Sequence, residues 1–191
     1  MQTATAVVAD LVTALTPWDE RERDHIAQTL AWLGSTDDIF RRIEPVTPSP
    51  HLVTYMVLVD PDERGIYLGM HRKAGLFLPM GGHVEPGEHP LAAAQREVRE
   101  ELGIEGSFDV VGERPLFLSV TAVPFPQPHV DISLWHVIRG NRSHAYSLDP
   151  GEFDGGRWWP LDAAALPESD PHLPRFVRKL DHTLRASVAR R

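Results

Sequence analysis

Residues 82–104 read Gly82-His83-Val84-Glu85-Pro86-Gly87-Glu88-His89-Pro90-Leu91-Ala92-Ala93-Ala94-Gln95-Arg96-Glu97-Val98-Arg99-Glu100-Glu101-Leu102-Gly103-Ile104. Pro90 suits the first turn of a helix and Gly103 its end, so the stretch predicts a glycine loop running into a helix over about 89–102. At about 100° per residue, Glu101 lies about 40° from Glu97 on one side and Glu100 about 60° on the other. Three carboxylates therefore share one face. Leu91, Val98 and Leu102 form the adjacent strip that packs inward, and Ala93, one turn before Glu97, leaves room above the acids.

Such crowding is unfavourable by itself. Two carboxylates ~4 Å apart at an effective dielectric of ~20 repel by ~4 kcal/mol. A hard divalent cation removes the conflict, and Mg²⁺, with Mn²⁺ as a substitute, habitually divides its shell between carboxylates and phosphate oxygens. A solvated Glu/Arg surface helix is the plain alternative for Arg-Glu-Val-Arg-Glu-Glu alone. The glycines and Glu88 at fixed distances speak against it.

Written as spacing, the stretch is Gly, five residues, Glu, seven residues, then Arg-Glu-apolar-any-Glu-Glu-any-Gly-apolar. With average residue usage, these nine constraints coincide about once in 10⁹ start positions. The pattern is the Nudix box, and the chain resembles the Nudix (MutT-like) hydrolases. The resemblance implies an α/β fold, an α/β/α sandwich with a mixed β-sheet, and cleavage of a nucleoside diphosphate linked to another group. It implies that Glu97, Glu100 and Glu101 bind metal and catalyse, that the carbonyl of Gly81 is a metal ligand, that Glu88 supports loop and helix, and that Arg96 positions a catalytic carboxylate. A further carboxylate on the loop before a Trp-containing strand often completes such sites; Glu152 is the candidate, with Asp154 behind it. Which glutamate deprotonates the water varies among relatives.

Outside the box the signals are weaker. His71-Arg72-Lys73 precedes the glycine loop, and Arg72 is a candidate for holding phosphate oxygens. His83, His129 and Asp131 are candidates for contacting substrate, the last two also for contacting metal. Trp135, Trp158 and Trp159 either stack on a base or fill the core.

The remaining chain frames these residues. There are 191 residues and no cysteine, which removes thiolate metal sites and cysteine nucleophiles. A formal net charge of −8 argues against gripping a nucleic-acid polymer. Residues 4–15 carry apolar positions at helical spacing but are interrupted by Asp10 and too short to span a bilayer; a cytoplasmic protein is expected, with no membrane partner. Thr16-Pro17 reads as the start of a second helix with an Ile26/Leu30/Leu33 stripe, ended by Gly34, and Asp37–Ile43 as a short third piece. Residues 1–49 are thus expected to be an N-terminal helical arm, suited to a homodimer contact or a lid, before a domain over 50–191. Strands are expected at 52–59, 65–72, 76–80, 107–112, 115–123, 130–138 and about 157–159, a short helix near 161–165 and a terminal helix over 171–188.

Substrate markers are sought downstream of the box. The proline of ADP-ribose hydrolases is absent, Ser119 and Val120 standing near its place. The tyrosine associated with diadenosine polyphosphates is absent, with Thr121 and Ala122 in that stretch, and no NADH or coenzyme A signature occurs. Elimination favours a (d)NTP pyrophosphohydrolase, with oxidised 8-oxo-dGTP-like nucleotides among the candidates. Nucleotide sugars or ADP-ribose, and a catalytically silent nucleotide-sensing module, are the alternatives. An isoprenyl diphosphate isomerase on the same fold would need a cysteine.

Overall fold

The computed structural model describes residues 2–42, 47–124 and 127–189. The elements, in chain order, are α1 (Ala4–Thr13), α2 (Glu20–Leu33), β1 (His51–Asp60), β2 (Gly65–His71), β3 (Leu76–Leu78), β4 (Met80–His83), α3 (Pro90–Leu102), β5 (Phe117–Val123), β6 (His129–Arg139), β7 (Phe153–Pro160) and α4 (Leu173–Val188). The sheet runs β3-β2-β1-β6-β5, with β4 also pairing β1 and β7 pairing β2. Only β1 and β6 are parallel, so the sheet is mixed.

Strand alternation divides the core into two layers. From β1, Met56 and Leu58 meet Ala94, Val98 and Leu102 of α3. Val57 and Val59 point the other way and join Trp135, Phe176, Val177 and Leu180, the last three from α4. β1 is buried along nearly its whole length, as its near-continuous apolar run requires of a strand covered on both faces. The result is the expected α/β/α sandwich.

The N-terminal helices share this core. Val8, Val12 and Leu33 pack with Leu52, Leu118, Ile132 and Leu134. Their polar side chains do a second job at the outer strand. Leu118 N–H donates to Glu22 Oε1 at 3.2 Å and Val120 N–H to His25 Nδ1 at 3.2 Å. Two donors that β5 would otherwise leave unpaired are thereby satisfied. Glu22 also accepts from Lys179 Nζ of α4 at 2.8 and 3.0 Å, which ties α2 to the far layer.

Four local expectations are corrected. Helix α2 starts at Asp19, not at Thr16-Pro17: Asp19 accepts from Glu22 N–H at 2.8 Å while Glu22 reaches back to Trp18 N–H at 2.6 Å, a reciprocal cap. Residues 37–42 are not helical, because Ile39 is buried and its carbonyl accepts from Leu52 N–H at 3.0 Å; residues 43–46 lie outside the described residues. Residues 107–112 form no strand, their apolar side chains Phe108, Val110 and Val111 packing from a loop. Residues 161–165 make one turn, Ala165 N–H to Asp162 O, and Pro167 disfavours helical geometry at Leu166. No helix among the described residues is long and apolar enough to cross a membrane.

Candidate active site

Helix α3 presents the box glutamates where β4 approaches it most closely. His89 caps its start by accepting from Leu91 N–H, and Gly103 ends it at φ 65°, a left-handed conformation suited to glycine. Leu102, Val98 and Ala94 anchor the inner side, which turns Glu97 and Glu101 toward β4. The approach depends on Gly82: a Cβ there would lie 2.0 Å from Glu97 Oε1. Gly81 likewise leaves no room for a Cβ, which would fall 2.4 Å from the Tyr55 ring.

Arg96 organises the acids. Its Nε and Nη2 donate to the two oxygens of Glu88 at 3.1 and 3.0 Å. Nη1 donates to Glu97 Oε1 at 2.7 Å and Glu100 Oε2 at 3.1 Å, and Nη2 also to the His83 carbonyl at 3.1 Å. One guanidinium thus fixes loop, helix and two glutamates, a geometry that needs the planar fork of arginine. Burial pulls the Glu88 carboxyl upward, but the Arg96 hydrogen bonds outweigh it and hold Glu88 below the usual range.

Glu101 is almost wholly buried and accepts from Gly81 N–H at 2.9 Å. Burial, followed by the charges of Glu97 and Glu152, pushes its carboxyl up to about 9. Burial also raises Glu97, against the pull of Arg96. Glu152, on the loop before β7, is one of the carboxylates whose charge acts on Glu101. Negative charge in this site exceeds what Arg96 neutralises. A divalent cation held by Glu97, Glu100, Glu101, Glu152 and the Gly81 carbonyl would fit both that excess and the all-oxygen donor set.

A cavity of about 600 Å³ opens over these residues. Gly81, Gly82, Arg96, Glu97, Glu100 and Glu152 line it together with His83, His129 and Asp131, while Glu101 is not among its lining residues. His71 and Lys73 also reach it. Arg72 is not among its lining residues: its guanidinium is held by Asp154 Oδ1 at 2.6 Å and the Pro150 carbonyl at 2.8 Å. It braces the Glu152 loop, reinforced by Arg72 N–H donating to the Glu152 carbonyl at 2.8 Å. Trp135 is core, edge-on to Tyr55 and stacked on Phe176. Trp158 and Trp159 are half-buried and pack edge-on against Tyr67 and Phe77.

Sequence reasoning missed three lining or adjoining residues: Arg41, Tyr55 and His51. His51 opens β1 directly opposite Asp131 in the parallel ladder, and Val53, two residues on, faces His83 of β4. That register brings together side chains 32 and 80 positions apart, a relation no local spacing reveals. Burial, then the charges of Arg41 and His51, lowers His83 to about 3.

Comparison with known proteins agrees with this geometry. The family model described as NUDIX domain matches residues 49–180. The NAD-capped RNA hydrolase ndx-9 of Caenorhabditis elegans is 29% identical over 147 residues, 74% of this chain, but the chain spans only 37% of that relative's length. Among solved structures, a NUDIX-family hydrolase from Clostridium perfringens superposes with a TM-score of 0.53 at 23% identity, covering 69% of this chain and 96% of its own. A Deinococcus radiodurans protein superposes at 0.51 and 20% identity, covering 73% and 89%. At these identities the structural likenesses show the fold.

Proposed function

This chain belongs to the Nudix family of hydrolases acting on pyrophosphate bonds, and from that premise we propose that it cleaves a nucleoside triphosphate to the monophosphate and pyrophosphate. The observation that carries the proposal is that Glu97, Glu100 and Glu152 line one cavity, with Glu101 buried beside them on Gly81 N–H and with Glu88 and Arg96 bracing the group. The cavity has the volume of a small-molecule site, and the chain's net charge of −8 disfavours a polymer backbone as the ligand.

Nudix hydrolases use divalent metals; for this chain we infer Mg²⁺, or Mn²⁺ in its place, because every candidate donor is a hard oxygen. When bound, the cation would screen the diphosphate and lower the pKa of a coordinated water. The protein's own contribution is positional. Arg96 sets the Glu97 and Glu100 carboxylates, Gly81 N–H fixes Glu101, and Gly82 lets Glu97 lie against β4. Water adds its oxygen to one phosphorus, the bridging P–O bond breaks, and a glutamate of this group takes the proton. His71 and Lys73 line the same cavity, which supports a role for them at the outer phosphates.

A dinucleotide diphosphate is the second reading, favoured by the name of the Caenorhabditis elegans relative. Wild type and Glu101→Gln are compared on nucleoside triphosphates, 8-oxo-dGTP, NAD, ADP-ribose and nucleotide sugars with Mg²⁺. Pyrophosphate release from a triphosphate, lost in the variant, is expected. Turnover confined to dinucleotides would replace the first reading with the second, and wild-type inactivity on the whole panel would overturn both.

A further inference from the structure

We propose that His51, His129 and Asp131 form a second metal site in the cavity, with the fourth position open, suited to zinc rather than magnesium. It goes beyond the hydrolase reading and does not depend on it.

The sheet builds the cluster. His51 and Asp131 are paired across β1 and β6, and His129 precedes Asp131 by two residues, on the same strand face. His51 Nε2 lies 2.9 Å from Asp131 Oδ1 and 3.1 Å from His83 Nε2, and His129 Nε2 lies 3.5 Å from Asp131 Oδ1. One donor atom each from His51, His129 and Asp131 falls within 4.8 Å of the others. Zinc–ligand bonds of about 2.0–2.1 Å in a tetrahedron place ligand atoms roughly 3.3 Å apart. The observed separations bracket that value, so an ion would need only small side-chain shifts.

Hydrogen bonding behind the cluster aims the ligands. His51 Nδ1 is 2.7 Å from the Pro48 carbonyl, and His129 Nδ1 is 2.7 Å from the Gln127 carbonyl. A carbonyl can only accept, so both Nδ1 atoms carry the proton, and in a neutral ring the Nε2 lone pair is left facing inward. Imidazole ligands are typically oriented in this way by outer partners. Asp131 Oδ1 is buried and receives no hydrogen bond, although two imidazole nitrogens stand close to it. Lone pairs of two rings thus stand beside a buried carboxylate oxygen that receives no hydrogen bond, an arrangement that a bound ion would satisfy. A proton on His51 would serve one of these contacts; a metal ion serves all of them. Imidazole nitrogen with a single carboxylate favours zinc over a hard ion.

The test uses the full chain, stripped with chelator, dialysed and titrated with Zn²⁺ by calorimetry, and separately with Co²⁺ by visible absorption. A Glu97→Gln/Glu101→Gln variant separates this site from the box. Wild type and that variant are expected to bind Zn²⁺ with equal affinity and to give the visible bands of tetrahedral cobalt. His51→Gln and Asp131→Asn should lower the affinity roughly 10–100-fold. Should His51→Gln fail to fold, His129→Gln carries the same expectation. Absence of stoichiometric Zn²⁺ binding by the wild type would overturn the proposal. So would loss of binding in the glutamate variant alone, or an imidazolium–carboxylate pair seen by ¹⁵N NMR that persists when Zn²⁺ is added.

Discussion

Gly82 and Glu97 occupy each other's space: the position a Cβ would take on the one is 2.0 Å from a carboxylate oxygen of the other. The glycine therefore sets where the carboxylate stands. Gly82→Ala is expected to push Glu97 out of line with Arg96 and to lower kcat by about 10²-fold, the scale of an ångström-sized misplacement. Steady-state kinetics beside a thermal melt checks this; full activity in a folded variant would count against it.

Metal removal should separate activity from fold. The core rests on α3 and α4 packing against the sheet, with no described interaction that needs an ion to hold the layers together. EDTA is expected to abolish turnover and to lower the melting temperature by a few degrees, through loss of ions that bind the folded chain, while leaving circular dichroism unchanged. Mg²⁺ in excess should restore the rate. Global unfolding on chelation would contradict this.

Lys179 and Glu22 form an ion pair between helices on different layers, and Glu22 is completely buried. Removing only the cation strands a carboxylate that also accepts from Leu118 and Trp18. Lys179→Met is expected to cost about 3–5 kcal/mol. Glu22→Gln/Lys179→Met should recover part of that, because no unpaired charge remains. Urea denaturation of both variants decides the order.

Asp19 holds α2 to α4 through Arg175, whose hydrogen bonds lower its carboxyl from 3.8 to about 2. A depressed carboxyl stabilises the fold above its unfolded value and stops doing so as pH falls through the folded one. The stabilisation should be fully present above pH 3.8 and fade toward pH 2. Melting temperatures of wild type and Asp19→Asn should differ at pH 5 and converge near pH 2; a constant gap would be the wrong result.

The sequence made the box legible because its chemistry is local. Pro90, Gly103 and the Glu97/Glu100/Glu101 face lie on one helix, and the structure puts that helix at Pro90–Leu102. The strands with long apolar runs were equally plain, 52–59 becoming His51–Asp60. Loops that bury apolar residues misled: Phe108, Val110 and Val111 read as a strand because burial, not periodicity, selects them. Arg72 was expected at the phosphates, but Asp154 and Pro150 hold it in the loop that carries Glu152. His51 stayed invisible for a different reason. Its partners are set by the pairing of β1 with β6 and β4, and sheet register is a property of the folded chain.

Leu118 and Val120 have a consequence for self-association. Because Glu22 and His25 already take their amide protons, a strand from another copy cannot zip onto β5 at these positions without first dislodging α2. Fibre growth from that flank would have to break the Glu22–Lys179 contact inside the molecule, so resistance to polymerisation there is coupled to the stability of the whole fold.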